Sequence, residues 1–210
     1  MSNRLRFLPY ILLISLVFSI PRAAIGGAYD DLLIATENGR HDVVINLLSR
    51  GMDINTIDAD GSSLLLVASR AGHRPLVEML LNNRARVNLR NRFGDSALHV
   101  AASQGHLAII ELLVAAGAEI NPTGWTPLHY AAYAGHTAVA ESLIAKGAKL
   151  DLRAPNGRTA LMLAAQNDHK SLYEALRRGG AETNLRDYDG KTAETLLAEV
   201  GGKLNLKQPQ

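Results

Sequence analysis

The stretch Gly124–Asp151, GWTPLHYAAYAGHTAVAESLIAKGAKLD, decides how this chain is read. It opens on a glycine turn. Thr126 follows as a natural helix N-cap, because a hydroxyl oxygen can accept from the free N–H groups of a first helical turn. A short alanine-rich segment runs to Gly135, which interrupts it. A second apolar segment then runs to Gly147, a residue that ends helices by supplying the left-handed conformation. The grammar is two short antiparallel helices joined to a hairpin-like loop.

The same phrase recurs on both sides. Gly61 opens GSSLLLVAS, Gly94 opens GDSALHVAA and Gly157 opens GRTALMLAA, and Gly190 opens a last, weaker copy. The spacings between Gly61, Gly94, Gly124, Gly157 and Gly190 are 33, 30, 33 and 33 residues. A mid-unit glycine recurs at Gly39, Gly72, Gly105 and Gly135, fails at Asp168 and returns at Gly201. A third closes each second segment at Gly51, Gly117, Gly147 and Gly180, with Arg84 standing in the second unit. In the third unit the segment Ala97–Ser103 is followed by Leu107–Ala116, whose Ile109, Ile110, Leu112 and Leu113 form one helical stripe. Arg84, if it takes the left-handed cap conformation, costs about 1 kcal/mol against glycine; Asn83 beside it is the alternative cap.

These phrases resemble ankyrin repeats, and the resemblance covers about residues 28–205. It implies an all-α solenoid of stacked helix-turn-helix units with hairpin-like loops. Five units are expected at 28–60, 61–93, 94–123, 124–156 and 157–189, with a degenerate cap at 190–205 and a tail at 206–210. One such unit cannot bury its apolar face alone, so stacking supplies the core and the end units need polar outer faces. Asp30, Asp31 and Glu37 at the front, and Glu194 and Glu199 at the back, fit that need.

Residues 1–28 read as an address outside the repeat domain of 29–205. Arg4 and Arg6 precede an apolar run, Leu8–Ile20, and small residues follow Pro21. That order is the order of a secretory signal peptide, with cleavage expected after Gly26 or Ala28. The alternative is an anchor that stays attached, but the run is 13 residues long, and a spanning helix needs ~20. The expected location is therefore the periplasm, with secretion as the other exported possibility. Removing 1–28 leaves 19 basic and 20 acidic residues, so the mature part has no basic excess to attract nucleic acid. The chain has no cysteine, which excludes disulfides, thiol catalysis and thiolate metal sites.

Seven histidines invite a metal or haem reading, since clustered histidines bind zinc. Six are absorbed by the repeat. His99 and His129 hold the fourth place of the T-P-L-H phrase, where the resemblance implies a turn-ordering hydrogen bond. His73, His106, His136 and His169 follow the mid-unit glycine position, leaving only His41 off pattern. No G-x-S-x-G elbow or phosphate loop is present. The expectation is a non-enzymatic, cofactor-free and metal-free monomer that binds another protein. A histidine-based metal or haem carrier and a self-assembling structural unit are the competing classes.

The resemblance implies that a partner contacts the loop tips and the exposed ends of the first helices. By register the tips include Arg92, Phe93, Asp95, Pro122, Trp125, Arg158, Tyr188 and Lys191, and the helix ends include Gln104, Tyr133 and Gln166. Arg90, Arg92, Arg153, Arg158 and Arg186 interleave with the aromatic residues, and binding hot spots favour Trp, Tyr and Arg. The third unit is three residues short, which is expected to dent the row of tips and expose Trp125. Packing of Trp125 and Phe93 across adjacent loops is the alternative.

Overall fold

The computed structural model describes residues 22–205; the expected leader up to residue 21 and the tail at 206–210 lie outside the described residues. Eleven helices are described: α1 Arg22–Glu37, α2 His41–Ser49, α3 Leu64–Ala71, α4 Arg74–Asn82, α5 Ala97–Gln104, α6 Leu107–Ala115, α7 Pro127–Ala134, α8 Thr137–Ala145, α9 Ala160–Gln166, α10 Lys170–Arg178 and α11 Ala193–Asn205. The only extended pairing among the described residues is one isolated bridge, Ile57 with Ser63. The odd-numbered helices pack one on the next from α1 to α11, so the chain is an all-α repeat solenoid.

The first helices approach closely because methyl groups separate them: Ala68, Ala101, Ala102, Ala131, Ala132, Ala164 and Ala165 are fully buried. Each second helix from α4 to α10 places a fully buried leucine at the same register, Leu80, Leu113, Leu143 and Leu176, worth roughly 1.5–3 kcal/mol each. The hydroxyls of Ser63, Thr126 and Thr159 accept from the N–H groups of Leu66, His129 and Met162 at 3.2, 3.3 and 3.4 Å. Asp30, Asp31 and Glu37 are exposed at the front and Glu194 and Glu199 at the back, so both ends face water with polar groups.

The mid-unit glycine and the histidine after it form one device. Gly39, Gly72, Gly105 and Gly135 have φ of 66–82°. Across each of them lies the imidazole of the following unit, so that a Cβ would meet the ring of His73, His106, His136 or His169 at 2.7, 2.8, 2.8 or 2.6 Å respectively. Each ring donates its Nε2–H to a carbonyl of the preceding unit: His73 to Glu37 at 2.8 Å, His106 to Arg70 at 3.2 Å, His136 to Ser103 and His169 to Tyr133 at 3.0 Å. These are carbonyls at the ends of first helices, which no intrahelical donor satisfies. Asp168 breaks the glycine pattern and keeps the conformation, with φ 57°. The unit after it carries Gly202 where the others carry histidine, so no ring competes for the space of its Cβ.

The closing glycines behave differently. Gly51, Gly117, Gly147 and Gly180 have φ of 88–95°, and a Cβ on any of them would meet nothing within 4 Å. Arg84 takes the same left-handed conformation at φ 64°, whereas Asn83 sits at φ −94°. The cap thus falls on Arg84 and not on Asn83. Beyond these glycines a polar ladder joins the units: the side-chain oxygens of Asn55, Asn88, Asn121 and Asp151 accept from the N–H groups of Arg86, Glu119, Lys149 and Glu182 at 2.8–2.9 Å.

The two glycine classes predict two magnitudes. Gly117→Ala is expected to cost only the left-handed penalty, about 1–2 kcal/mol. Gly105→Ala must also displace the His136 ring and its hydrogen bond, about 1 kcal/mol more. Thermal melts of the two variants check this, and Gly105→Ala should melt lower.

Candidate protein interface

Four of the five loops between units form a finger tied by its own side chain. Asp58, Asn91 and Asp187 accept through Oδ1 from the N–H two residues on (Asp60, Phe93, Asp189; 2.8–3.0 Å) and four residues on (Ser62, Asp95, Lys191; 2.7–2.9 Å). Their own N–H groups donate to the carbonyls of Ser62, Asp95 and Lys191 at 2.9–3.0 Å. An Asx side chain at the base of a turn is suited to this double acceptance. In the finger at 154–158, Ala154 holds that place and Asn156 takes over, accepting from the Arg158 N–H at 3.1 Å.

Charged side chains then brace the fingers. Arg153 and Arg186 donate to the carbonyls of Gly157 and Gly190 at 2.9 and 2.7 Å. Arg90 reaches Gly94 at 3.5 Å and pairs with Glu119 at 2.9 Å. Arg158 pairs with the buried Asp187 of the next finger at 3.1 Å and also donates to Gln166. Burial pushes the Asp187 carboxyl up, but the Lys191 N–H, the Arg158 guanidinium and the Asp189 N–H outweigh it and hold it below the usual carboxylate range. Lys191 pairs with Glu199 at 2.7 Å. Four of the five interleaved arginines are therefore occupied within the scaffold. Arg92 remains on the surface, paired with the exposed Asp60 at 2.8 Å and with its guanidinium 4.8 Å from the centre of the Phe93 ring.

The shortened third unit removes one finger. Asn121 keeps its rung of the polar ladder, and the chain passes directly to Gly124. Pro122, expected on the surface, is buried, and Trp125 is half-buried instead of bare. The reason lies in the backbone. His129 donates Nε2–H to the carbonyl of Leu152, in the next finger, at 2.9 Å. His99 has no such finger ahead and donates to the carbonyl of Trp125 at 3.0 Å. Trp125 is drawn inward to fill the gap, with its ring 5.5 Å from Tyr130, 5.9 Å from His129 and 6.4 Å from Tyr133. Tyr130 closes the other side by donating to Asp95 at 2.6 Å; burial and that carboxylate both push its hydroxyl pKa up.

The sequence-predicted contact residues thus fall into two groups. Arg92, Phe93, Gln104, Tyr133, Gln166 and Tyr188 are exposed, with Phe93 at 66%, Tyr133 at 56% and Tyr188 at 75%. Asp95, Trp125, Arg158 and Lys191 are partly covered and already partnered inside the scaffold. The structure brings Trp125 and Tyr133 together, while Tyr188 stands apart over Gly157.

The turn histidines are neutral by construction. His99 and His129 accept through Nδ1 from the N–H of Ser96 and Thr126 at 3.0 Å, and donate through Nε2 as described. Burial lowers His99, and lowers His129 to about 4, against the carbonyls that favour the charged ring. A protonated ring would turn Nδ1–H against a backbone N–H. In the unfolded chain a histidine titrates near 6.5. Between that pH and the folded values the unfolded chain binds more protons, so stability is full above about 6.5 and falls as pH drops. The denaturant midpoint should therefore decline from about pH 7 to about pH 4.5. His129→Met, the residue that Met162 supplies at the same place, should flatten that decline.

A comparison with curated proteins finds no match. The sequence model of ankyrin repeats (3 copies) matches residues 32–123, 64–154 and 118–187. Repeats of this kind generally mediate protein–protein interaction. The matches together span most of the solenoid, and the chain belongs to the ankyrin-repeat family.

Proposed function

We propose that the chain is an exported, non-catalytic adaptor that binds one protein of the cell envelope across its finger tips and first-helix ends. One observation carries the reading: Phe93, Tyr133 and Tyr188, three of the large exposed apolar side chains, lie on the tip side, and Arg92 stacks on the first of them. Tyr133 edges on Trp125 and Tyr188 lies over Gly157, yet all three rings leave most of their surface to water, and exposed aromatic groups beside arginine are the usual anchors of protein interfaces. The half-buried Trp125 backs Tyr133 and is not itself a projecting anchor.

Export rests on the leader pattern. Both expected cleavage points fall within α1, ahead of Leu32, the first core residue among those whose burial is described. Among the described residues no helix is long and apolar enough to cross a membrane. The histidines do not favour a metal or haem carrier, since the six repeat histidines each spend Nε2–H on a backbone carbonyl.

Two measurements test the reading. The amino terminus of the protein recovered from a periplasmic extract should read from Gly27 or Tyr29; an intact Met1 in a membrane pellet would replace export by anchoring. A cross-linked pull-down from the same extract should recover one partner with the wild type. Phe93→Ala with Tyr133→Ala should lose it by about 2 kcal/mol or more without lowering the melting temperature. Equal recovery by both proteins would remove this face from the binding site.

A further inference from the structure

The first unit keeps part of the surface that later units use to meet the unit before them. The position of Ile34 in α1 is held later by Val67, Val100, Tyr130 and Leu163. Tyr130 shows which way that position faces, since its hydroxyl donates to Asp95 of the preceding unit at 2.6 Å. The position of Val43 in α2 is held by Leu76, Ile109, Val139 and Leu172, all buried. In the first unit Ile34 is 57% exposed and Val43 is half-buried.

Other positions of this front face have become charged. Asp31 stands where later units carry the buried Leu64, Ala97, Pro127 and Ala160. Arg40 stands where they carry His73, His106, His136 and His169, the rings that cover a glycine of the unit before. An end face that served only to meet water would be polar at every such position. This one is polar only in part, and Ile34 and Val43 remain.

The charges have a definite arrangement. Asp31, Ile34 and Asn38 follow one another along α1 at i, i+3 and i+7, and Val43, Asn46 and Arg50 do the same along α2. These two stripes, with Arg40 and Asp42, line one opening of about 610 Å³. Because α1 ends at Glu37 and α2 begins at His41, the helices run antiparallel. Asp31 and Arg50 therefore lie toward one end of the opening, and Arg40 and Asp42 toward the other. Arg40 and Asp42 face each other loosely at 3.8 Å. Asp31 and Arg50 are exposed and form no ion pair among the described residues. A lining of one sign would select a partner of the other sign. One acid and one base at each end make a surface complementary to itself.

We propose that two copies of the chain associate front to front through this α1–α2 face, about a two-fold axis. Such a contact requires that when one residue meets a second across it, the second also meets the first. With the axis along the opening, α1 of one copy lies over α2 of the other. Asp31 then meets Arg50 of the second copy and Arg50 meets its Asp31, while Ile34 packs beside Val43. Two short helices bury less than the roughly 1,200–2,000 Å² of a stable complex. The pair is therefore weak and concentration-dependent, half-formed near about 100 µM. It departs from the monomer expected from the sequence, and it presents two sets of finger tips on one particle.

Sedimentation velocity of the purified protein, with its amino terminus read by mass spectrometry, tests the contact. From about 5 to about 500 µM the sedimentation coefficient should rise toward that of a dimer. Ile34→Asp should weaken association by about tenfold or more and leave the melting temperature unchanged. Asp31→Arg and Arg50→Asp should each weaken it by about tenfold, because each brings like charges together at both ends of the axis. An equal mixture of those two variants should recover the association of the wild type, since every pair between them is again opposite in sign. A misfolded variant would not be rescued in that way. Phe93→Ala with Tyr133→Ala should leave association unchanged, which separates this face from the finger tips. Insensitivity to Ile34→Asp, or a mixture that associates no better than either variant alone, would overturn the proposal. So would a wild type that stays monomeric throughout: with Met1 intact it would assign the face to the leader, and without the leader to a different protein.

Discussion

The stack depends on an imidazole laid flat against a glycine of the unit before it. His73, His106, His136 and His169 each cover such a glycine and donate to a carbonyl that the preceding first helix leaves open. The contact joins two requirements that are usually separate. The glycine must turn left-handed to end its helix, and it must also lack a Cβ so that the ring can approach. A helix end in one unit is thereby completed by a side chain from the next. The secondary structure of each unit is then conditional on its neighbour, beyond the burial of apolar surface that any solenoid shares.

This coupling explains where the pattern tolerates exceptions. Asp168 replaces a glycine of the covered class only where the following unit has lost its histidine. Aspartate visits the left-handed region more readily than most residues, so steric relief and moderate strain together suffice. Arg84 replaces a glycine of the uncovered class, where a Cβ always has space and only the conformational penalty remains. The missing finger is accommodated on the same logic. The ladder rung at Asn121 is kept, and the vacated acceptor of His99 is replaced by the Trp125 carbonyl. The polar contacts between units survive the deletion, and the apolar ring that follows the carbonyl inward fills the gap.

The repeat grammar was legible because it is local: caps, terminating glycines and alanine-rich first helices lie within a few residues of what they determine. The histidines could be assigned to the repeat but not to their partners, since the accepting carbonyls lie 23 to 36 residues away. Register alone also placed Arg90, Arg153, Arg158 and Arg186 among surface arginines, and Pro122 and Trp125 at an open tip. Their roles depend on which acceptors the folded fingers present, and a sequence register does not say which side of a loop is already occupied. Phe93, Tyr133 and Tyr188 came through because all three stay largely exposed in the folded stack.

The opening between α2 and α4 was legible only in part, because Arg84 stands out against the closing glycines while Ile45 and Met52 read as ordinary apolar residues of the first unit. Coordinates add that Ile45 and Met52 line one opening between α2 and α4. In a repeat protein a deviation that relieves a local constraint, such as Asp168, belongs to folding. Arg84 relieves no constraint, adds strain at φ 64°, and forms no ion pair among the described residues. A residue that weakens the scaffold and improves no contact within it is most simply understood through a contact outside it.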